Sequence, residues 1–303
     1  MKPRLRFVAG PNGSGKTTLM RRLAADYAVN FYDVINADDI FAEVARTGAY
    51  APRMPVDSAS LLKFALASSY GAEVKTAFID SKVQVKDDCI VFAPDAVNSY
   101  TVALVAAFLQ HEFILERRSF SQETVFSHPS KIEALREARR CGFRTYLYFV
   151  ATEDASINAA RVENRAALGG HFVPPGKIAS RFPLSIENAA EALRYLSRAY
   201  FFDNSGETMR FLAEWDETRG ISLADGGRGD FPNWLAQIAA AAVEIRIPGR
   251  MWELDGSLAA PAAAASREAI SQAFAAGLPV TVLRGGRIVR LSPEGEEIIM
   301  NYE

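Results

Sequence analysis

Cysteine and histidine are scarce: two of the first, Cys89 and Cys141, and three of the second in 303 residues. Two distant thiols exclude a disulfide framework and a cysteine-built zinc site. They read as thiols of a reducing compartment. A dominant charge is lacking too. Thirty-four Lys and Arg against 36 Asp and Glu leave a net charge of −2, and the basic residues are scattered. That balance argues against nucleic acid or a membrane surface as partner. No apolar run approaches the roughly 18 residues of a membrane-spanning helix. Met1 to Arg6 is basic, but it leads into a short strand and glycines, without the apolar core or cleavage site of a secretion signal. The expected location is the cytoplasm. No internal repeat is present.

What remains is ordinary globular composition, 49% hydrophobic and 23% charged, in a chain long enough for one large α/β domain plus an appendage. Leu5 to Ala9 reads as a buried strand. Leu19, Leu23 and Tyr27 then mark one face of a helix over Thr17–Ala28. A strand over Phe31–Ile35 and a helix over Asp39–Arg46 follow. Between Thr47 and Pro94 the pattern is poor, broken by Pro52, Pro55 and Gly71, and this segment reads as an insertion with one helix over Leu61–Leu66. Further on come a helix over Asp95–Glu116, a strand over Arg118–Val125 and a helix over Ser130–Cys141. Phe143–Val150 is nearly all apolar or aromatic, as in a central parallel strand. Thr152 reads as the cap of a helix running to Leu168, with Glu153 and Asp154 in its first turn. A helical stretch over Lys177–Ser197, divided at Pro183, precedes a last core strand, Ala199–Asp203. Strands alternating with helices predict a parallel sheet flanked by helices.

A domain boundary is expected near residue 240, after the Gly-rich Asp225–Asp230. Residues 1–240 would form the main domain, and 241–303 an appendage. In the appendage, Pro261–Ala276 reads as helix, and Val280–Arg284 with Arg287–Leu291 reads as a hairpin about Gly285–Gly286. The appendage is expected either to restrain the main domain or to act as a packing or dimerisation element.

Gly10-Pro11-Asn12-Gly13-Ser14-Gly15-Lys16-Thr17 fits G-x-x-x-x-G-K-[ST], and Thr18 continues it. The glycines let the backbone curl so that several N–H groups converge on phosphates. The following helix adds the positive end of its dipole. Lys16 is placed for the β- and γ-phosphates and the Thr17 hydroxyl for Mg²⁺. A strand before the motif and an amphipathic helix after it complete the P-loop context. The expected ligands are ATP (or GTP) and Mg²⁺.

Acids and bases gather at the predicted strand ends. Asp38 follows the second strand, where open α/β sheets bind ligands. It is either a base for an attacking hydroxyl or a helix cap, and Asp39 leaves the base ambiguous by one residue. Glu123-Thr124 ends another strand. Glu123 either meets Mg²⁺ through water, binds a substrate hydroxyl, or is a solvated strand end. Arg161 and Arg165 share one helix face at i, i+4, beside Gly169-Gly170-His171. They are either a lid neutralising a transferred phosphoryl or a surface pair bridging to Glu163 or Glu187.

This set of motifs resembles the zeta toxin family of P-loop kinases, particularly its zeta-like predicted-ATPase branch. The matching pieces are Gly10–Thr17, Asn36-Ala37-Asp38, Ser119–Thr124, Arg161-Val162 with Arg165 and Gly169-Gly170-His171, and Asp203-Asn204-Ser205. They cover about residues 4 to 206 in order. The resemblance implies a kinase that phosphorylates the 3′-hydroxyl of UDP-N-acetylglucosamine. By matching position, Asp38 would be the base. Glu123 and Thr124 would hold the sugar nucleotide, and Lys16, Arg161 and Arg165 would stabilise the γ-phosphoryl. Thr17 would hold Mg²⁺. An antitoxin protein is the partner it implies. The segment 47–94 and the tail after about 240 depart from the family. The alternatives are a kinase of another small acceptor, a nucleoside or an antibiotic, and a nucleotide-driven switch ATPase.

Overall fold

The computed structural model describes residues 2–169, 172–224, 231–245, 270–284, 287–292 and 295–301. The chain opens with β1 (Arg4–Ala9), α1 (Lys16–Tyr27), β2 (Asp33–Asn36) and α2 (Ala37–Thr47). Next come β3 (Ala49–Tyr50), α3 (Ser58–Ala67), α4 (Ala72–Ile79), β4 (Val83–Lys86) and β5 (Cys89–Phe92). Then α5 (Ser99–Leu115), β6 (Phe120–Thr124), α6 (Ser130–Arg140), β7 (Arg144–Ala151), α7 (Ala155–Ala167) and α8 (Pro175–Ala192) follow. The chain continues with β8 (Arg198–Asp203), β9 (Arg210–Asp216), β10 (Gly220–Leu223) and α9 (Asn233–Glu244). It ends with β11 (Val280–Arg284), β12 (Arg287–Ser292) and β13 (Gly295–Asn301). This is the expected α/β fold, with core strands mostly parallel and flanked by helices. Among the described residues no helix is long and apolar enough to cross a membrane.

Two compact units divide the chain, Tyr32–Glu123 and Lys2–Phe31 with Thr124–Glu303. The second carries strands in the order β10-β9-β8-β7-β1. β7 lies parallel to both β1 and β8, the central position that its uninterrupted apolar sequence predicts. β8 is not the last strand of this sheet. β9 and β10 extend it by antiparallel pairing, Phe201 facing Ala213 and Ile221 facing Trp215. Leu19 and Leu23 of α1 pack on Val8, Tyr148, Val150, Phe202, Met209 and Phe211. This core seats the first helix on the sheet.

In the first unit β2 and β6 pair in parallel. Helix α5 is buried nearly all round, from Thr101 to Ile114, as a helix without a polar face must be. The segment 47–94, where sequence pattern is poor, holds α3, α4 and a three-stranded antiparallel sheet, β3-β5-β4. The β4–β5 turn is Asp87-Asp88, both at positive φ (50° and 58°). That is the geometry of a two-residue hairpin turn, made here without the glycine that would mark it.

Several local expectations need correction. Asp154, not Thr152, caps α7, its Oδ1 accepting from Ser156 N at 2.7 Å. Thr152 is turned inward to Asn158. Glu153 lies outside that helix, and its Oε1 accepts from Asn233 N at the start of α9. Pro183 does not divide α8, which runs through it. Packing of Ile178, Ile186 and Ala189 outweighs the lost N–H, and Ser185 Oγ donates to Val125 O at 2.7 Å. The helix expected to Ser197 ends at Ala192. Residue 240 falls within α9. In the tail, 270–275 is helical, β11 and β12 pair with Arg284 facing Arg287, and β13 adds a third strand. The Asp225–Asp230 stretch, the helix expected from Pro261 up to residue 269, and the Gly285–Gly286 turn lie outside the described residues.

Lys131, in the first turn of α6, is packed so that burial brings its amine down to about 8. Unfolding restores an ordinary amine. Between the two values the unfolded chain binds more protons, so this group makes stability rise with pH from about 8 towards 10. Lys131→Met is expected to stabilise the protein at pH 7 and to flatten that rise, in urea unfolding followed by tryptophan fluorescence. An unchanged slope in the variant would contradict the assignment.

Candidate functional site

The loop Gly10–Gly15 joins β1 to α1, and the second unit's own walls dictate its shape. Gly10, Gly13 and Gly15 have φ of +140°, +77° and +100°, the region that L side chains rarely adopt. Each is also crowded. A Cβ on Gly10 would lie 1.9 Å from Val150 O at the end of β7. On Gly13 it would lie 2.6 Å from Asn158 O in α7, and on Gly15 2.6 Å from Asn204 Nδ2 after β8. The signature demands glycine at the first and third of these. At Gly13, which the signature leaves free, the demand comes from its positive φ and from α7.

Inside this loop Lys16 is buried, and its Nζ donates to Pro11 O at 2.9 Å. Helix α1 starts at Lys16 with no side-chain cap and no acidic residue in its first turn. Its leading N–H groups are therefore presented at the loop, the arrangement that binds anions. Asn12 Oδ1 and Ser14 Oγ are buried with no hydrogen-bond partner. Buried polar atoms of this kind need an explanation, and a ligand in the loop supplies one. Thr17 and Thr18 follow, both half-buried.

The turn after β8 clamps the loop. Asn204 Nδ2 donates to Ser14 O at 2.9 Å, and Asn204 N donates to Ala151 O at 2.8 Å. Asp203 Oδ1 accepts from Ser205 N at 3.0 Å, while its Oδ2 accepts from Arg210 at 2.8 Å. Ser205 Oγ in turn accepts from Glu153 N at 2.7 Å. Sequence alone marks Asp203-Asn204-Ser205 but not this clamping role, because the partners lie 190 positions apart.

Arg161 comes to the same place. It donates to Asn204 O at 2.7 Å, so it is no surface partner of Glu163 or Glu187. Burial brings its guanidinium down to about 10, opposed by the Asp203 carboxylate. Arg165, one turn further along α7, is exposed. Gly169 ends this segment at φ +83°, and Gly170 and His171 lie outside the described residues.

In the first unit the acidic residues share one rim. Asn36 faces Glu123 across β2 and β6. The Asn36 side chain caps α2 by accepting from Asp38 N at 3.0 Å. Asp38 is thus not the cap. It is exposed in the first turn beside Asp39. Glu123 is half-buried at the same strand end. Thr124, where the second unit resumes, accepts from Phe126 N at 3.2 Å through its Oγ1. Among the described residues no cluster of three or more His, Cys, Asp or Glu could hold a metal ion.

No protein-family model matches the chain. An uncharacterized protein of Haemophilus influenzae is 30% identical over 74 residues, 24% of this chain, and the match spans 53% of that protein's length. Three solved structures are similar in part. The AvrRxo1-ORF1:-ORF2 structure with ATP is 14% identical over 90% of this chain and 76% of its own, with a TM-score of 0.44. The PezAT toxin-antitoxin system of Streptococcus pneumoniae is 12% identical over 67% and 70%, with a TM-score of 0.41. A gluconokinase from Sinorhizobium meliloti is 13% identical over 80% and 93%, with a TM-score of 0.30.

Gly15→Ala is expected to combine positive-φ strain with the clash at Asn204, and to weaken Mg-ATP binding in calorimetry at least about tenfold. Gly169→Ala shares the positive φ but has open space around it. It should leave that affinity unchanged. Equal effects of the two would show that the clamp does not shape the loop.

Proposed function

We propose that the chain is a nucleotide-dependent kinase. It moves the γ-phosphoryl of ATP (or GTP) to a hydroxyl of a small molecule. The observation that supports this most is the loop Gly10–Gly15, with Lys16 buried inside it, an uncapped helix start, and two buried polar atoms without partners. A strong P-loop signature meets that geometry. In this reading backbone N–H groups from Gly13 to Thr18 cradle the phosphates. Lys16 leaves Pro11 O to meet the β- and γ-oxygens. Arg161, anchored on Asn204 O, and the exposed Arg165 neutralise charge on the transferred group.

The Thr17 hydroxyl, half-buried at the second position of α1, suits Mg²⁺, which takes one or two protein oxygens and completes its shell with phosphate and water. Held there, the ion would supply positive charge against the phosphates. Asp38, exposed at the rim, takes the acceptor's hydroxyl proton. The acceptor oxygen bonds to the γ-phosphorus, the bond from that phosphorus to the bridging oxygen breaks, and a nucleoside diphosphate leaves. Glu123 and Thr124 bind the acceptor.

The acceptor proposed is UDP-N-acetylglucosamine or a related sugar nucleotide, as the zeta toxin resemblance implies. With it come an antitoxin as partner and the cytoplasm as location. The test is mass spectrometry of UDP-N-acetylglucosamine after incubation with the protein and Mg-ATP. Gain of one phosphate is expected with the wild type and not with Lys16→Ala. Asp38→Asn should abolish transfer yet bind Mg-ATP with wild-type affinity. Nucleotide consumption that ignores the sugar and leaves no phosphorylated product would overturn this acceptor. Wild-type turnover in Asp38→Asn would overturn the base.

A further inference from the structure

The loop 204–209 touches the phosphate-binding loop at both ends. Asn204 holds Ser14 O. Met209 is buried in the cluster that contains Leu19 and Leu23 of α1, and its methyl lies 3.2 Å from where a Cβ on Gly15 would stand. Between these anchors Glu207 and Thr208 are exposed and line an open cleft of about 700 Å³. Its other wall is the helical stretch 270–275, contributing Ile270, Ser271, Phe274 and Ala275.

That second wall is fixed in place. Ile270, Ala273 and Phe274 pack on Val280, Val282, Val289 and Leu291 of β11 and β12. Asn164 of α7 donates through Nδ2 to Pro279 O, just before β11. The tail therefore rests on the same helix that carries Arg161.

From this cleft we infer that the tail forms one wall of a nucleoside site, which takes the base and ribose of the nucleotide whose phosphates lie in Gly10–Thr17. The assignment rests on the phosphate-cradle reading above. One wall of the cleft is the loop 204–209, whose two ends touch Ser14 and Gly15, and its volume is in the range of small-molecule sites. Among the described residues its lining carries a carboxylate and no cation, which disfavours phosphate and admits a neutral ligand. Phe274 and Ile270 offer a ring and an aliphatic face for a base. Glu207 accepts from ribose hydroxyls or an exocyclic amine, and Thr208 and Ser271 donate or accept beside it. The tail is then part of the binding site rather than a restraint upon it.

The test compares Mg-ATP with Mg-tripolyphosphate, which has the phosphates and no nucleoside, by calorimetry on the full chain. Wild type should bind ATP more tightly. Ser271→Trp and Thr208→Trp fill the cleft from opposite walls. Each is expected to weaken ATP at least about tenfold and to change tripolyphosphate less than about twofold. Wild-type ATP affinity in both variants, or equal wild-type affinities for the two ligands, would overturn the nucleoside site and leave the phosphate cradle standing. Failure of wild type to bind tripolyphosphate at all would overturn the cradle and the nucleoside site with it.

Discussion

The second unit depends on a backbone contact that admits no side chain. Val150 O, Asn158 O and Asn204 Nδ2 each approach a glycine of the loop more closely than a Cβ permits. Those three groups come from the ends or flanks of β7, α7 and β8. The loop is therefore held from three directions by elements the sheet has already placed. Preorganised N–H groups bind charge without the cost of rearrangement, and Lys16, buried in the same loop, adds a cation. Asn204 joins this constraint to the rest, because its side chain holds Ser14 O and its carbonyl receives Arg161.

The features legible in the sequence are those written in contiguous residues. The P-loop is one such run, and it appears between β1 and α1 as its context requires. The apolar run Phe143–Val150 gave away a strand with neighbours on both sides. Features that depend on partners far along the chain were not legible. Asp203-Asn204-Ser205 stands out in the sequence only as part of the resemblance, and the contact of Asn204 with Ser14 O is not visible there. Asp87-Asp88 turns a hairpin at positive φ without a glycine to announce it. Pro183 reads as a helix break, yet burial of the surrounding face keeps α8 continuous. The i, i+4 spacing of Arg161 and Arg165 hides the anchor of Arg161 on Asn204 O, since periodicity names a face and not what covers it.

The residues named in the proposal fall in both units. The second holds the phosphate loop, its clamp and the arginine of α7. The first presents the acidic rim of Asp38 and Glu123, fixed by parallel pairing of β2 with β6 and by the Asn36 cap. The segment 47–94 and the tail are the parts that depart from the zeta toxin pattern. They differ in kind. One is a folded insertion with its own antiparallel sheet. The other has a hairpin core of its own and meets α7 where Asn164 Nδ2 donates to Pro279 O.

The most direct test of the central claim is an experimental structure of the full chain with Mg²⁺ and a non-hydrolysable ATP analogue. The account predicts β- and γ-phosphates over the N–H groups of Gly13 to Thr18, with Lys16 Nζ moved from Pro11 O to the phosphate oxygens. A nucleotide bound elsewhere, with Lys16 still on Pro11 O and the loop empty, would contradict it.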